Sequence, residues 1–161
     1  MIKKSYPITL AYQFDPDRKN AKYTLDGAHY MNHGEFCEVL AKDVLGYEAK
    51  KDANTAFNMG ADIPELNASV KSARCGLTDM KLGNDPEIWW NRFWTMTDPE
   101  QIAIWVDDHG EEVDLWFMSH EEFKEFCTEF AKWDNYCTKY RITTCTSKIN
   151  KWLEEKIEIK G

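Results

Sequence analysis

The chain has 161 residues, of which 43% are hydrophobic and 14% aromatic, and its formal net charge is −8. This length suits one folded domain with a buried core, and the aromatic content excludes a disordered chain. No apolar run reaches the roughly 18 residues that span a membrane, and the first residues lack the apolar core of a signal peptide. We therefore expect one cytoplasmic domain over residues 1–161 that does not contact a membrane.

The acidic balance argues against a broad nucleic-acid surface, because proteins that neutralise many phosphates are usually basic. A nuclease can still be acidic overall, since metal sites need carboxylates. The five cysteines include no closely spaced pair, which excludes the usual structural zinc sites. Cys37 and Cys127 are predicted to be small buried residues on apolar helix faces. The four histidines have no metal-ligand spacing and are interpreted as turn or cap residues.

The N-terminal segment alternates apolar and other residues from Tyr6 to Phe14, which predicts a half-buried strand. Residues 15–20 are typical of a turn. A second strand from Ala21 to Tyr30 would complete an N-terminal hairpin within residues 1–31.

Apolar residues at helical spacing predict a helix from Gly34 to Leu45. Asn32 is the expected N-cap and Gly46 the expected stop. Glu35 and Glu38 lie in the first turns of this helix, where the helix dipole favours acids with or without a function.

The next segment reads as a short strand over residues 56–59, a tight turn that contains Asp62, and a strand from Asn67 to Ala73. Side chains alternate along a strand, so Ser69 and Lys71 share one face. We expect both to point toward whatever Asp62 faces. A carboxylate close to a strand lysine suits a metal-dependent phosphodiesterase, because the acid holds a divalent cation and the lysine steadies phosphate charge.

Asp62, the turn after it and the triplet Ser69-Val70-Lys71 resemble the core of the PD-(D/E)xK nuclease superfamily, the fold of many restriction endonucleases. The resemblance covers roughly residues 32–118 and implies an α+β fold, with a restriction-endonuclease-like mixed sheet flanked by helices. In that family an acid ends one strand and an acid-x-Lys triplet lies on the next. Asp62 matches the first acid and Lys71 the lysine, whereas Ser69 stands in place of the second acid.

The resemblance implies a site that binds Mg²⁺ through Asp62, with the missing carboxylate supplied by Glu65 in the turn or by Glu35 or Glu38 on the preceding helix. Lys71 would orient the attacking water, and Ser69 would assist through a metal-bound water. The alternative without a catalytic site is that Lys71 is a solvent-exposed lysine on an ordinary hairpin.

An aromatic and basic region follows this motif. Pro86 is at a favoured helix start, and the aromatic residues after it recur at helical spacing. Such a cluster either stacks unpaired bases beside arginine or forms core or a dimer surface, and the second is the more common. The residues proposed to contact nucleic acid or a protein partner are Arg74, Lys81, Trp89, Trp90, Arg92, Phe93 and Trp94.

Residues 101–118 predict a hairpin. Gln101–Asp107 is apolar on both faces and therefore a central strand, and 112–118 is its partner. Asp107 and Asp108 are attributed to the turn and not to a metal site.

The C-terminal part, 119–161, begins with a capping box at Ser119 and a helix with Phe123, Phe126, Cys127 and Phe130 on one face. A short strand over residues 140–144 follows. The last helix is expected to be capped by Thr146 or Ser147 and to turn Ile149, Trp152 and Leu153 inward.

Three functions fit this sequence. The first is a Mg²⁺-dependent DNA endonuclease, and the nuclease resemblance suggests a homodimer. The second is an inactive nuclease fold that acts as an acidic inhibitor or binding protein, similar in size, charge and aromatic patch to the anti-restriction or anti-CRISPR proteins of phages and other mobile elements. The third is a structural α+β protein.

Overall fold

The computed structural model describes residues 1–48, 61–73, 99–134, 139–143 and 145–160. The predicted strand over 56–59 and the predicted helix after Pro86 lie outside these residues. The strands are β1 (Ile2–Pro7), β2 (Gln13–Phe14), β3 (Tyr23–Thr24), β4 (Tyr30–Met31), β5 (Ala68–Ser72), β6 (Ile102–Asp108), β7 (Glu112–Met118), β8 (Ala131–Asp134) and β9 (Lys139–Ile142). The helices are α1 (His33–Val44), α2 (His120–Phe130) and α3 (Thr146–Lys160), and a 3-10 turn covers Pro64–Leu66.

Four strands form a mixed sheet in the order β1-β7-β6-β5. β7 runs antiparallel to both β1 and β6, whereas β5 runs parallel to β6. β6 is a central strand, as its apolar residues on both faces predict, and its residues 103–106 are all buried. The predicted hairpin joins β6 to β7, and Gly110 adopts a φ of +88° in its turn, a conformation that glycine reaches without steric cost.

Helices cover both faces of this sheet, because successive side chains of a strand point to opposite sides. Ile104 of β6 belongs to the core cluster that includes α1, whereas its neighbour Trp105 belongs to the cluster that includes α2 and α3. The protein is therefore α+β, with a mixed sheet between one helix and two others.

α1 forms where the sequence predicts it, one residue earlier at each end. The Asn32 side chain accepts a hydrogen bond of 2.8 Å from the backbone N–H of Glu35, which caps the helix. Gly46 follows the helix with a φ of +85°, as expected of a residue that ends it.

α2 has the predicted capping box: Ser119 accepts from the backbone N–H of Glu122, whose side chain accepts from the backbone N–H of Ser119. All four residues of its predicted apolar face are buried. One detail near the C-terminus differs from expectation. α3 begins at Thr146, and the Cys145 carbonyl accepts from the N–H of Ile149, so the cap precedes the two predicted hydroxyl residues. Ile149 and Leu153 are buried and the partly buried Trp152 packs against the same core, so these three residues face inward as predicted.

The predicted N-terminal hairpin is wrong in its long form. The predicted first strand, residues 6–14, is interrupted between the end of β1 at Pro7 and the start of β2 at Gln13, and β1 pairs with β7 instead of with residues 21–30. A much shorter pairing survives between β2 and β3, and β4 continues it. The alternating residues Ile8, Leu10 and Tyr12 pack against the α1 cluster as irregular chain, which explains why their pattern resembles that of a half-buried strand.

Candidate metal centre

The turn before β5 brings Asp62 and Ser69 together. Asp62 Oδ2 accepts a hydrogen bond of 2.7 Å from the backbone N–H of Val70 and lies 3.5 Å from Ser69 Oγ. Asn67 closes the turn in the left-handed conformation, with a φ of 47°. The Asp62 carboxylate therefore provides a hydrogen-bond acceptor for a backbone N–H of β5.

β5 shows the predicted alternation. Ala68, Val70 and Ser72 are buried, whereas Ser69 and Lys71 are half-buried. Ala68 and Val70 belong to the α1 cluster, so Ser69 and Lys71 face the side of the sheet that carries α2 and α3.

The glutamates expected to complete a Mg²⁺ site do not join Asp62. Glu35 and Glu38 lie on α1, which packs on the other side of the sheet from Ser69 and Lys71. Glu65 is exposed in the 3-10 turn. Within the described ranges, none of these acids belongs to a group of three metal-ligating side chains.

The residues proposed to contact nucleic acid or a partner, from Arg74 to Trp94, lie outside the part of the chain that the structure describes.

A small crevice opens where the parallel strands β5 and β6 end. Its volume is about 130 Å³. Ligands of open sheets with parallel strands commonly bind outside the carboxyl ends of those strands. His33 at the start of α1 and Thr146 at the start of α3 both line this crevice, so two helix N-termini approach the end of β6. The other described residues that line it are Ala73, Trp105, Val106, Asp107 and Asp108.

His33, Cys37 and Asp108 form a group of metal-ligating side chains beside this crevice. His33 and Cys37 are four residues apart on α1 and therefore lie on the same helix face. His33 Nε2 is 3.5 Å from Asp108 Oδ2 and 3.6 Å from Cys37 Sγ. Cys37 is fully buried, whereas the His33 side chain is 43% exposed.

These separations match the edges of a tetrahedral zinc site. An ion about 2.1 Å from nitrogen and oxygen and about 2.3 Å from sulfur places its ligands roughly 3.4–3.6 Å apart. A nucleophilic Cys-His-Asp triad would instead use opposite ring nitrogens of the histidine. Here Nε2 is the ring nitrogen nearer to Cys37, since Nδ1 is 3.9 Å away, and Nε2 also faces Asp108. The geometry favours coordination over nucleophilic catalysis.

In the absence of a metal ion, the contacts of a protonated His33 imidazole hold the group together. The contacts of His33 with Asp108 and with the Cys37 sulfur raise the pKa of His33 to about 10. The imidazole is therefore protonated at neutral pH. A metal ion must displace this proton, so metal binding weakens as the pH falls.

A second group, Asp107, His109 and Asp114, lies on the opposite face of the same hairpin. Its carboxylates already have partners: Asp107 accepts a 2.7 Å hydrogen bond from Asn150 of α3, and Asp114 lies 3.8 Å from Lys3 Nζ. His109 Nε2 is 2.8 Å from Asp114, and this contact raises the pKa of His109. The polar contacts of the second group thus connect the hairpin to β1 and to α3.

The sequence interpretation missed the first group. It attributed Asp108 to a turn and the histidines to caps, and it treated Cys37 only as a buried residue, which it is. The available signal was the His33–Cys37 pair at helical spacing, combined with an acid at the end of a central strand. Because 75 positions separate His33 from Asp108, only the fold brings them together.

Comparison with protein-family models, curated proteins and solved structures finds no match for this chain. None of the described helices is long and apolar enough to cross a membrane. The functional argument therefore depends on the geometry of the site.

Proposed function

We propose that this protein is a metal-dependent phosphodiester hydrolase of the nuclease type, with its metal ion bound by His33, Cys37 and Asp108. The observation that carries the proposal is the spacing of these three ligand atoms beside a crevice at the ends of parallel strands. Three protein ligands leave a fourth position for water, the arrangement of catalytic zinc sites. An ion held by these residues would lower the pKa of a bound water and so supply the nucleophile.

The donor set favours Zn²⁺ over the Mg²⁺ that the nuclease resemblance implies. Thiolate and imidazole are ligands of zinc and related transition metals, whereas Mg²⁺ prefers oxygen ligands alone. A Mg²⁺ site at Asp62 remains the alternative arrangement, and it would need carboxylates beyond those of the described residues.

Two features support the choice of a phosphodiester substrate. The order of helix, acid, turn and lysine-bearing strand is that of the PD-(D/E)xK nucleases, and the mixed sheet between helices is compatible with a restriction-endonuclease-like fold. Lys71 is the strand neighbour of Trp105, one of the residues that line the crevice. In this proposal the Lys71 ammonium steadies the negative charge of a phosphate bound there.

The test is cleavage of supercoiled plasmid and of single-stranded DNA by the purified chain with Zn²⁺, Mn²⁺ or Mg²⁺, and with chelator. Asp108→Asn keeps the shape of its side chain but loses the charge, and should abolish Zn²⁺-supported cleavage. Asp62→Asn is the matched control, because it changes the other acid in the same way. Loss of cleavage in Asp62→Asn alone would place the centre at Asp62 and refute the proposed ligands.

A second candidate function, an acidic binding protein, is favoured by a groove of about 530 Å³ between α2 and α3. A lysine of the chain itself lies in this groove: Lys156 Nζ is 2.6 Å from Glu125 and 4.9 Å from the ring centre of Trp152. Both contacts favour a cation. Further acids that line the groove are Glu121, Glu122 and Glu129.

The groove is tested with a fluorescent peptide rich in lysine and arginine. The double variant Glu121→Gln and Glu129→Gln should weaken binding if the groove is the contact. Equal affinity of variant and wild type would remove the specific support for this second function.

A further inference from the structure

We propose that Tyr23 of β3 is a positioning residue for the metal centre, because its ring holds the His33 imidazole in the orientation that a metal ion needs. This inference rests on the metal centre of the proposed function. It gives the small sheet β2-β3-β4, whose central strand carries Tyr23, a part in building the site.

His33 needs support from outside its own helix. It is the first residue of α1, and its side chain is 43% exposed. Metal-ligating histidines are usually oriented by a hydrogen bond from the second ring nitrogen to a carboxylate or a carbonyl oxygen. Among the described residues, only Cys37 Sγ lies close to His33 Nδ1, at 3.9 Å. That sulfur is itself a proposed ligand, so the usual orienting hydrogen bond has to be replaced by another contact.

Tyr23 provides an orienting contact of a different kind. Its ring centre lies 5.9 Å from the centre of the His33 imidazole, and the two planes make an angle of 50°. This distance is typical of favourable aromatic pairs. A ring packed against one side of the imidazole limits its rotation, while His33 Nε2 still faces Cys37 and Asp108.

The Tyr23 ring is itself held in place. It stacks on Phe36 with the ring centres 4.2 Å apart and the planes at an angle of 9°, and Phe36 is buried in the core. Phe36 follows His33 by three residues on α1, so the two side chains are neighbours on one face of the helix. β3 pairs with a strand on each side, which fixes the backbone of Tyr23. The ring therefore connects the exposed ligand His33 to the buried core.

Removing the Tyr23 ring should weaken metal binding. Loss of a group that orients a ligand typically lowers metal affinity roughly 10–100-fold, and we expect Tyr23→Leu to weaken Zn²⁺ binding by this factor. Tyr23→Phe should retain the affinity of the wild type, because the contact with His33 is made by the ring and not by the hydroxyl group.

Tyr12→Leu is the matched control. Tyr12 is partly buried against the same core as Tyr23. Among the described residues its ring contacts are with Phe36, at 4.7 Å between ring centres, and with Tyr23, at 6.3 Å. Tyr12→Leu should therefore lower the stability of the fold about as much as Tyr23→Leu, but leave the affinity for Zn²⁺ unchanged.

The experiment uses the full chain loaded with Co²⁺, whose visible absorption reports the geometry of its ligands and the presence of a thiolate among them. Displacement of Co²⁺ by Zn²⁺ gives the relative affinity of each variant, and thermal unfolding without metal gives its stability. We expect the same spectrum for the wild type, Tyr23→Phe and Tyr12→Leu. Tyr23→Leu should show an altered spectrum and a weaker affinity at a stability similar to that of Tyr12→Leu.

The outcomes separate this inference from the metal centre on which it rests. If Tyr23→Leu and Tyr12→Leu bind Zn²⁺ equally well, or if Tyr23→Phe loses affinity as Tyr23→Leu does, the positioning role of the ring is refuted and the metal centre stands. If the wild type shows no thiolate band, or if Cys37→Ala leaves that band unchanged, the metal centre is refuted and this inference with it.

A measurement on the wild type covers the case in which Tyr23→Leu does not fold. Nuclear Overhauser effects between the ring protons of His33 and Tyr23 are recorded in the Zn²⁺-loaded protein. Their presence is the expected result, because the contact must persist when the ion is bound. Their absence would overturn the proposal.

Discussion

Removing one ligand from the proposed metal centre should abolish the stabilisation that Zn²⁺ confers on the fold. Cys37→Ala is the sharpest change, because Cys37 is fully buried and provides the sulfur 3.6 Å from His33 Nε2. Cys127→Ala is its matched control. Cys127 is also a fully buried helical cysteine, but it lies in the core on the other side of the sheet.

The magnitude follows from linkage. A ligand present at 100 times its Kd, and bound by the folded state alone, stabilises that state by about 2.7 kcal/mol. For a chain of 161 residues each kcal/mol corresponds to roughly 2–4 °C in Tm, so the wild type should gain about 5–11 °C. If the substitution weakens zinc binding 100-fold, the same zinc concentration stabilises by about 0.4 kcal/mol, or roughly 1 °C.

The assay is thermal unfolding monitored by tryptophan fluorescence, with and without Zn²⁺, for the wild type and both variants. In the absence of metal, the free energy of unfolding of each variant should be about 1 kcal/mol lower than that of the wild type, because the buried sulfur is missing. With metal, only Cys37→Ala should fail to gain stability. If Cys37→Ala and the wild type respond equally to Zn²⁺, the ion binds elsewhere and the assignment of His33, Cys37 and Asp108 is wrong.

Three further results are expected. Asp62→Ala removes the acceptor of the Val70 N–H and should cost about 1–2 kcal/mol in urea unfolding, and no loss would mean that the bond contributes nothing in solution. Ser119→Ala should cost about 1 kcal/mol through the lost capping box, measured as a lower urea midpoint at unchanged slope. The hydrogen bond to Asp114 raises the pKa of His109, so the folded state binds more protons there than the unfolded state, whose histidine has a pKa near about 6.5. The contribution of His109 to the free energy of unfolding is complete below about pH 6.5 and is lost as the pH rises through the pKa of the folded state. His109→Gln should remove this pH dependence from the measured free energy of unfolding.

The elements that could be predicted are those whose signals are local. α1 is specified by apolar spacing with Asn32 before it and Gly46 after it, and α2 by its capping box. The β6–β7 hairpin is specified by two apolar runs around a short polar turn. Each of these signals lies within a dozen residues of the structure it determines.

The pairing of β1 could not be predicted in the same way. The alternation from Tyr6 to Phe14 indicates that one side of the chain is buried, but not which strand buries it. β1 pairs with β7, which lies more than 100 residues further along the chain, whereas the local pattern favours a hairpin between neighbouring segments.

The candidate centre shows the same limit. A strand that ends with two acids resembles turn chemistry in sequence, but Asp107 and Asp108 are the last two residues of β6 and not part of the turn. Their different roles arise because α1 and α3 pack on opposite sides of β6, which depends on the topology of the whole sheet.

The adjacent positions of Asp107 and Asp108 also make the strand intolerant of misalignment. If β6 slipped by one residue against its neighbours, every side chain would change sides. Asp107 would then be presented to the His33 and Cys37 side and Asp108 to the Asn150 side, while Trp105 would be forced toward α1 and Ile104 into the space that the indole leaves. A sheet of apolar strands alone would resist such a slip only through shape, whereas here two acids with different partners add an electrostatic penalty. The polar end of β6 therefore helps to fix the register of the sheet. A strand shifted by one residue loses both carboxylate contacts at once.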